Sequence, residues 1–143
     1  MKLYMAVYGT LKQGYGNHEY YMSDFTYEGE AVSVSDNFFM EGGGFPFVYD
    51  NVEDGSKVKV EIYSYELQEG TYIAELLKNV DGLEGHPNWY KRKLFNFKFT
   101  DRPQELPVLA YMYVIEDHPD AAHTIEPGPT VSISNGVMEW SRF

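Results

Sequence analysis

Only one long stretch of this sequence carries a helical period, and that limits the folds open to it. Ile73, Leu76, Leu77, Val80 and Leu83 recur at the three-and-four spacing of an amphipathic helix, with Glu75, Lys78 and Asn79 on the other side. Thr71 is placed to cap its start, and Gly82 and Gly85 to stop it. Most of the remaining ordered sequence reads as strand. In residues 57–65, Val58, Val60 and Ile62 alternate with Lys57, Lys59 and Glu61, the pattern of a strand with one wet face. Residues 91–100 set Leu94 against Phe95, Phe97 and Phe99, while residues 108–115 are the most apolar run and are predicted to lie centrally in a sheet. Residues 2–8 and 27–35 supply further strands, and Asn135-Gly136 joins residues 130–134 to 137–140 as a hairpin, because that pair accepts positive φ angles. Strands that follow one another without helical crossovers favour antiparallel pairing over a doubly wound sheet. The predicted fold is α+β: a mixed, mostly antiparallel sheet curled into a small barrel with one principal helix.

With 143 residues, the whole of 1–143 is expected to form a single domain. The formal net charge of -11 argues against binding that depends on neutralising many phosphates, so neither nucleic acid nor an anionic membrane surface is an expected partner. No run approaches the roughly 18 apolar residues of a membrane span, and the first residues lack the pattern of a secretory signal. A cytoplasmic protein is expected. The absence of cysteine removes disulfides, thiol nucleophiles and thiolate metal sites, leaving carboxylate, hydroxyl, imidazole and backbone groups for any chemistry. The histidines at 18, 86, 118 and 123 make no close ligand spacing, so no metal site is expected.

The first strand runs into an abrupt bend, Tyr8-Gly9-Thr10-Leu11-Lys12-Gln13-Gly14. Without a Cβ, Gly9 has backbone freedom and lets another group approach the main chain closely. Successive N–H groups at Gly9, Thr10 and Leu11 are suited to a shared concavity for a carboxylate or a developing oxyanion. A tight structural turn accounts for the same residues. Asn17 is placed to cap a short helix over residues 18–23.

Glu84 stands one position off the apolar stripe, between Gly82 and Gly85. A carboxylate at the mouth of the core is partly desolvated, which raises its pKa toward the range of a general base. Nearby Asp81 is expected to cap or to form a salt link, for example with Arg92.

Together, Val7-Tyr8-Gly9-Thr10-Leu11-Lys12-Gln13-Gly14 with Asn17-His18, and Val80-Asp81-Gly82-Leu83-Glu84-Gly85 with Tyr90-Lys91-Arg92, resemble the γ-glutamylcyclotransferase-like family, most closely its γ-glutamylamine cyclotransferase branch. Val80 replaces the usual leucine before the aspartate. The resemblance implies that Tyr8, Gly9, Thr10 and Leu11 cradle the substrate and that Glu84 is the catalytic base. It also implies that Gly44-Phe45-Pro46 forms a rim and that Tyr113 is the tyrosine of a late central strand. The implied reaction is ring closure of a γ-glutamyl group to 5-oxoproline with release of an amine. It takes a small-molecule γ-glutamyl substrate and needs no cofactor or metal. The alternative is a non-catalytic small-molecule-binding domain that uses Gly9 to Leu11 as an anion cradle.

Overall fold

A computed structural model describes residues 1–42, 46–84, 90–116 and 127–141, with Glu84 described by its backbone alone. In chain order the elements are β1 (Lys2–Val7), α1 (His18–Met22), β2 (Thr26–Ser33), β3 (Phe39–Glu41), β4 (Phe47–Tyr49), β5 (Lys57–Glu66), α2 (Ile73–Leu76), α3 (Lys78–Glu84), β6 (Lys91–Phe99), β7 (Val108–Val114), β8 (Val131–Ser134) and β9 (Val137–Trp140). Neighbouring strands run β1-β7-β6-β2-β5, and β1 also pairs with β5, which closes a ring. Within it β1–β7 is parallel and the other pairs are antiparallel. The mixed, mostly antiparallel barrel expected from the sequence is what forms, with short helices against its outer face.

Side-chain alternation sorts the two faces. Val60 and Ile62 of β5, Phe97 and Phe99 of β6, and Met112 of β7 fill the interior with the small Ala6, Ala31 and Ala110. Small residues opposite large ones are how a narrow barrel accommodates aromatic rings. The other face of β1, carrying Leu3, Met5 and Val7, joins Tyr63 and Tyr113 beneath Met22, Leu77 and Val80 from the helical segments. β2 shifts register between Tyr27 and Gly29, where Gly29 has a φ of 141°. Such a bulge bends a strand and helps a sheet close.

β9 adds to β5 in parallel, and β8 pairs with β9 through a turn in which Asn135 and Gly136 have φ of 51° and 75°. The β3–β4 hairpin joins this end of the molecule, where Phe38, Met40 and Val48 share a cluster with Met138 and Trp140.

Several expectations change. The principal helix is two short ones, α2 and α3, parted at Leu77, whose φ of -94° and ψ of 9° leave the helical region while its side chain stays buried. The N-cap is Tyr72 rather than Thr71, and no side chain caps it. The β3–β4 pair went unpredicted because strands of 3 residues are too short to show alternation. Segment 43–45, the stop at Gly85, and His86, His118 and His123 lie outside the described residues. Among the described residues no helix is long and apolar enough to cross a membrane.

Candidate active site

β1 delivers the bend to the end of the barrel, and side chains further along the chain then fix it. The N–H of Lys12 donates to the carbonyl of Gly9 at 2.9 Å, closing a tight turn. Asn17 Nδ2 donates to Thr10 Oγ1 at 2.8 Å, so this side chain braces the bend and does not cap α1. His18 Nδ1 lies 2.9 Å from the carbonyl of Leu11. A carbonyl only accepts, so Nδ1 carries the proton. Gly9 is not left-handed, and its requirement is steric: a Cβ there would stand 2.8 Å from both Cγ and Cδ of Pro46.

A cavity of about 330 Å³ opens beside the bend. Tyr8, Gly9, Thr10 and Leu11 line it together with Ala6 and Val7 of β1, Tyr113 of β7, Leu83 of α3, Asn17, Pro46 and Tyr90. The structure therefore brings Tyr8, Gly9, Thr10, Leu11 and Tyr113 into one cavity. Glu84 is the residue after Leu83 and the last of α3. None of the described lining residues is charged. Gly9 and Leu11 are buried, and among the described residues nothing accepts a hydrogen bond from the N–H groups of Gly9, Thr10 or Leu11. A buried N–H left without an acceptor costs about 1–3 kcal/mol, so these donors make a seat for an oxygen brought by a ligand or by water.

A hydrogen-bonded chain runs from the bend to β6. Tyr8 Oη donates to the carbonyl of Tyr113 at 2.7 Å, and the Tyr113 hydroxyl donates to Asp81. Asp81 in turn accepts from Arg92 Nε at 2.9 Å and from Arg92 Nη2 at 3.2 Å, the salt link expected from the sequence. Burial works against the Arg92 charge, but the bond and proximity to the Asp81 carboxylate hold the guanidinium pKa above its ordinary value. Because Asp81 lies one turn before Glu84, this pair ties the end of α3 to β6 and β7. Tyr90 donates to the carbonyl of Pro46 at 3.1 Å and stacks on Phe47, with ring centroids 5.9 Å apart.

Nothing in the sequence pattern assigns Asn17 to the bend, or Leu83 and Tyr90 to the cavity wall. Leu83 shares the helical period of Val80, and periodicity alone gives no sign of which member of a stripe is left uncovered.

The gamma-glutamyl cyclotransferase, AIG2-like family model matches residues 5–130. The chain belongs to this family. The Methanocaldococcus jannaschii protein MJ1514, provisionally named a gamma-glutamylcyclotransferase, is 34% identical over 110 residues, covering 77% of this chain and 83% of the relative. The crystal structure of the mouse AIG2-like protein superposes with a TM-score of 0.63 at 23% identity, over 79% of this chain and 76% of that one. A structure named gamma-glutamyl cyclotransferase gives a TM-score of 0.58 at 11% identity, over 80% of this chain and 67% of that one. At these identities the two structures show the shared fold. Membership of the family supports a cyclotransferase function, and the matched span holds the bend, α3 and Tyr113 but stops short of β8 and β9.

Proposed function

We propose that the chain converts a γ-glutamylamine or a γ-glutamyl-amino acid to 5-oxoproline and a free amine. The observation that carries this reading is the row of unmatched N–H groups at Gly9, Thr10 and Leu11, opening on a cavity whose rim includes the end of α3. In the reaction, the nitrogen of the substrate's α-amine attacks its own γ-carbonyl carbon, the ring C–N bond forms, and the bond to the departing amine breaks. The α-ammonium must lose a proton before attack and a second as the ring closes, while the departing amine gains protons. Glu84 is assigned as the acid/base that moves them. The N–H groups of the bend receive the γ-carbonyl oxygen as it becomes an oxyanion, or the substrate carboxylate. Since nucleophile and electrophile share one molecule, orientation supplies much of the acceleration. Tyr8, Tyr113 and Tyr90 wall the cavity with rings that exclude water from the reacting atoms.

A panel of γ-glutamyl compounds assayed for 5-oxoproline tests the reading. At least one should be turned over, and folded Glu84→Gln should lose about 10²- to 10⁴-fold in kcat, the range for removal of a general acid/base. Near-parental turnover by that variant overturns the assignment of Glu84, and silence across the panel overturns the reaction.

A further inference from the structure

The C-terminal hairpin lies outside the family match, yet it reaches the bend. Lys12, inside the bend, is only 8% exposed, and its Nζ donates to the carbonyl of Trp140 in β9 at 2.7 Å. The same ammonium sits 5.8 Å from the centre of the Tyr15 ring, and that ring lies 5.0 Å from the ring of Trp140. Tyr15 Oη donates to Ser141 Oγ at 3.3 Å. Two side chains of one loop thus grip Trp140, the last residue of β9, and Ser141 just after it.

The far end of this contact is buried and paired on both sides. Trp140 is fully buried and pairs with Val131 of β8, while Val137 and Met138 are in register with Lys57 and Val58 of β5. The main-chain N–H of Met40 points at Met138 Sδ, 3.4 Å away. Trp140 therefore stands as a fixed post one short lysine side chain from the bend, whose own turn is closed by the bond from the N–H of Lys12 to Gly9.

Stability alone is a poor reason for a lysine here. Among the described residues no carboxylate pairs with Lys12, and a buried ammonium held by one carbonyl and one ring face has lost much of its hydration. A methionine has a stem of similar length and no such cost. What the ammonium adds is a directed bond that sets where the bend stands relative to the barrel. The position of the unmatched donors matters because a misplacement of about 1 Å in a reacting arrangement can cost 10²-fold in rate.

We propose that Lys12 is a positioning residue, and that the C-terminal hairpin acts through it to hold the N–H groups of Gly9, Thr10 and Leu11 in the geometry that turnover requires. This proposal rests on the cyclotransferase reading, but its test includes a measurement that does not. Lys12→Met and Lys12→Arg in the full chain, with Tyr15→Leu as a milder disturbance of the same contact, are compared by kcat, KM, thermal melting and amide hydrogen exchange at Gly9 to Leu11. Lys12→Met should melt close to the parent, lose about tenfold or more in kcat with a smaller change in KM, and show exchange at Thr10 and Leu11 at least several-fold faster. Lys12→Arg, which keeps a donor, should recover part of both losses. Tyr15→Leu should move both in the same direction by less, and it carries the test if Lys12→Met does not fold.

Parental kcat and parental exchange in the folded variants overturn the proposal. A fall in kcat with unchanged exchange also overturns it, because it would put the Lys12 charge in the chemistry rather than in the placement of the bend. If no γ-glutamyl compound is turned over, or if Glu84→Gln stays active, the cyclotransferase reading fails on its own, and the exchange rates still decide whether the hairpin holds the bend.

Discussion

The two faces of the barrel wall use the same kinds of residue to opposite ends. Met112 and Tyr113 are adjacent on β7; the first is fully buried among the interior side chains, and the second faces outward to line the cavity. Inside, Val60, Ile62, Phe97 and Ala110 are at most 1% exposed. Outside, the apolar stripe of the helical segment is covered progressively less toward the bend: Leu77, Val80 and Leu83 are 0%, 3% and 40% exposed. One stripe is therefore core at one end and cavity wall at the other. Apolar patterning builds the protein, and the place where its cover runs out, beside unmatched backbone donors, is where chemistry has room.

Truncating one aromatic inside and one aliphatic outside should separate the two faces most sharply. Phe97→Ala removes a fully buried ring and should cost about 3–5 kcal/mol in denaturant unfolding, with the remaining folded protein turning over substrate at the parental kcat. Asp81→Asn comes next. It leaves the Arg92 guanidinium without its carboxylate and loosens the end of α3, so a loss of about 2 kcal/mol is expected together with a several-fold fall in kcat. Leu83→Ala should cost under about 1 kcal/mol because the side chain is already partly in water, yet raise KM several-fold by enlarging the cavity. If Leu83→Ala destabilised as much as Phe97→Ala, the contrast between the faces would collapse.

The smallest effect concerns pH. Lys93 has a raised pKa, chiefly from its hydrogen bond to the buried Asp50 carboxylate, which outweighs the opposing effect of burial. A lysine whose folded pKa exceeds its unfolded value contributes stability that is full below about pH 10.4 and is lost as pH climbs through the folded value. Lys93→Met should flatten that alkaline decline in unfolding free energy without altering turnover at neutral pH.

The barrel was legible because its strands are long enough to alternate. The run through Val58, Val60 and Ile62, and that through Phe95, Phe97 and Phe99, each announce which face is buried. The hairpin at Asn135-Gly136 was legible because its dipeptide suits few other conformations. What stayed hidden depends on partners remote in sequence. Asn17 next to a helix start looks like a cap until Thr10 is folded back beside it. Gly9 in the sequence suits either unusual backbone angles or a close approach to the main chain, and only the ring of Pro46 packed against it decides for the second. Nothing in the sequence around Lys12 points to Trp140, whose main-chain carbonyl, from the other end of the chain, accepts its hydrogen bond. Tyr8 and Tyr113 were marked by family resemblance, whereas the bond between them follows from the parallel placement of β1 beside β7.

If the cyclotransferase reading holds, the main-chain donors of the bend and the end of α3 face one binding site. Titrating the isotopically labelled protein with 5-oxoproline, while following backbone amide resonances, tests it directly. Gly9, Thr10 and Leu11 should shift together with Leu83 and Glu84 along a single saturation curve. Shifts confined to the bend while α3 stays silent, or two curves with different midpoints, would contradict it.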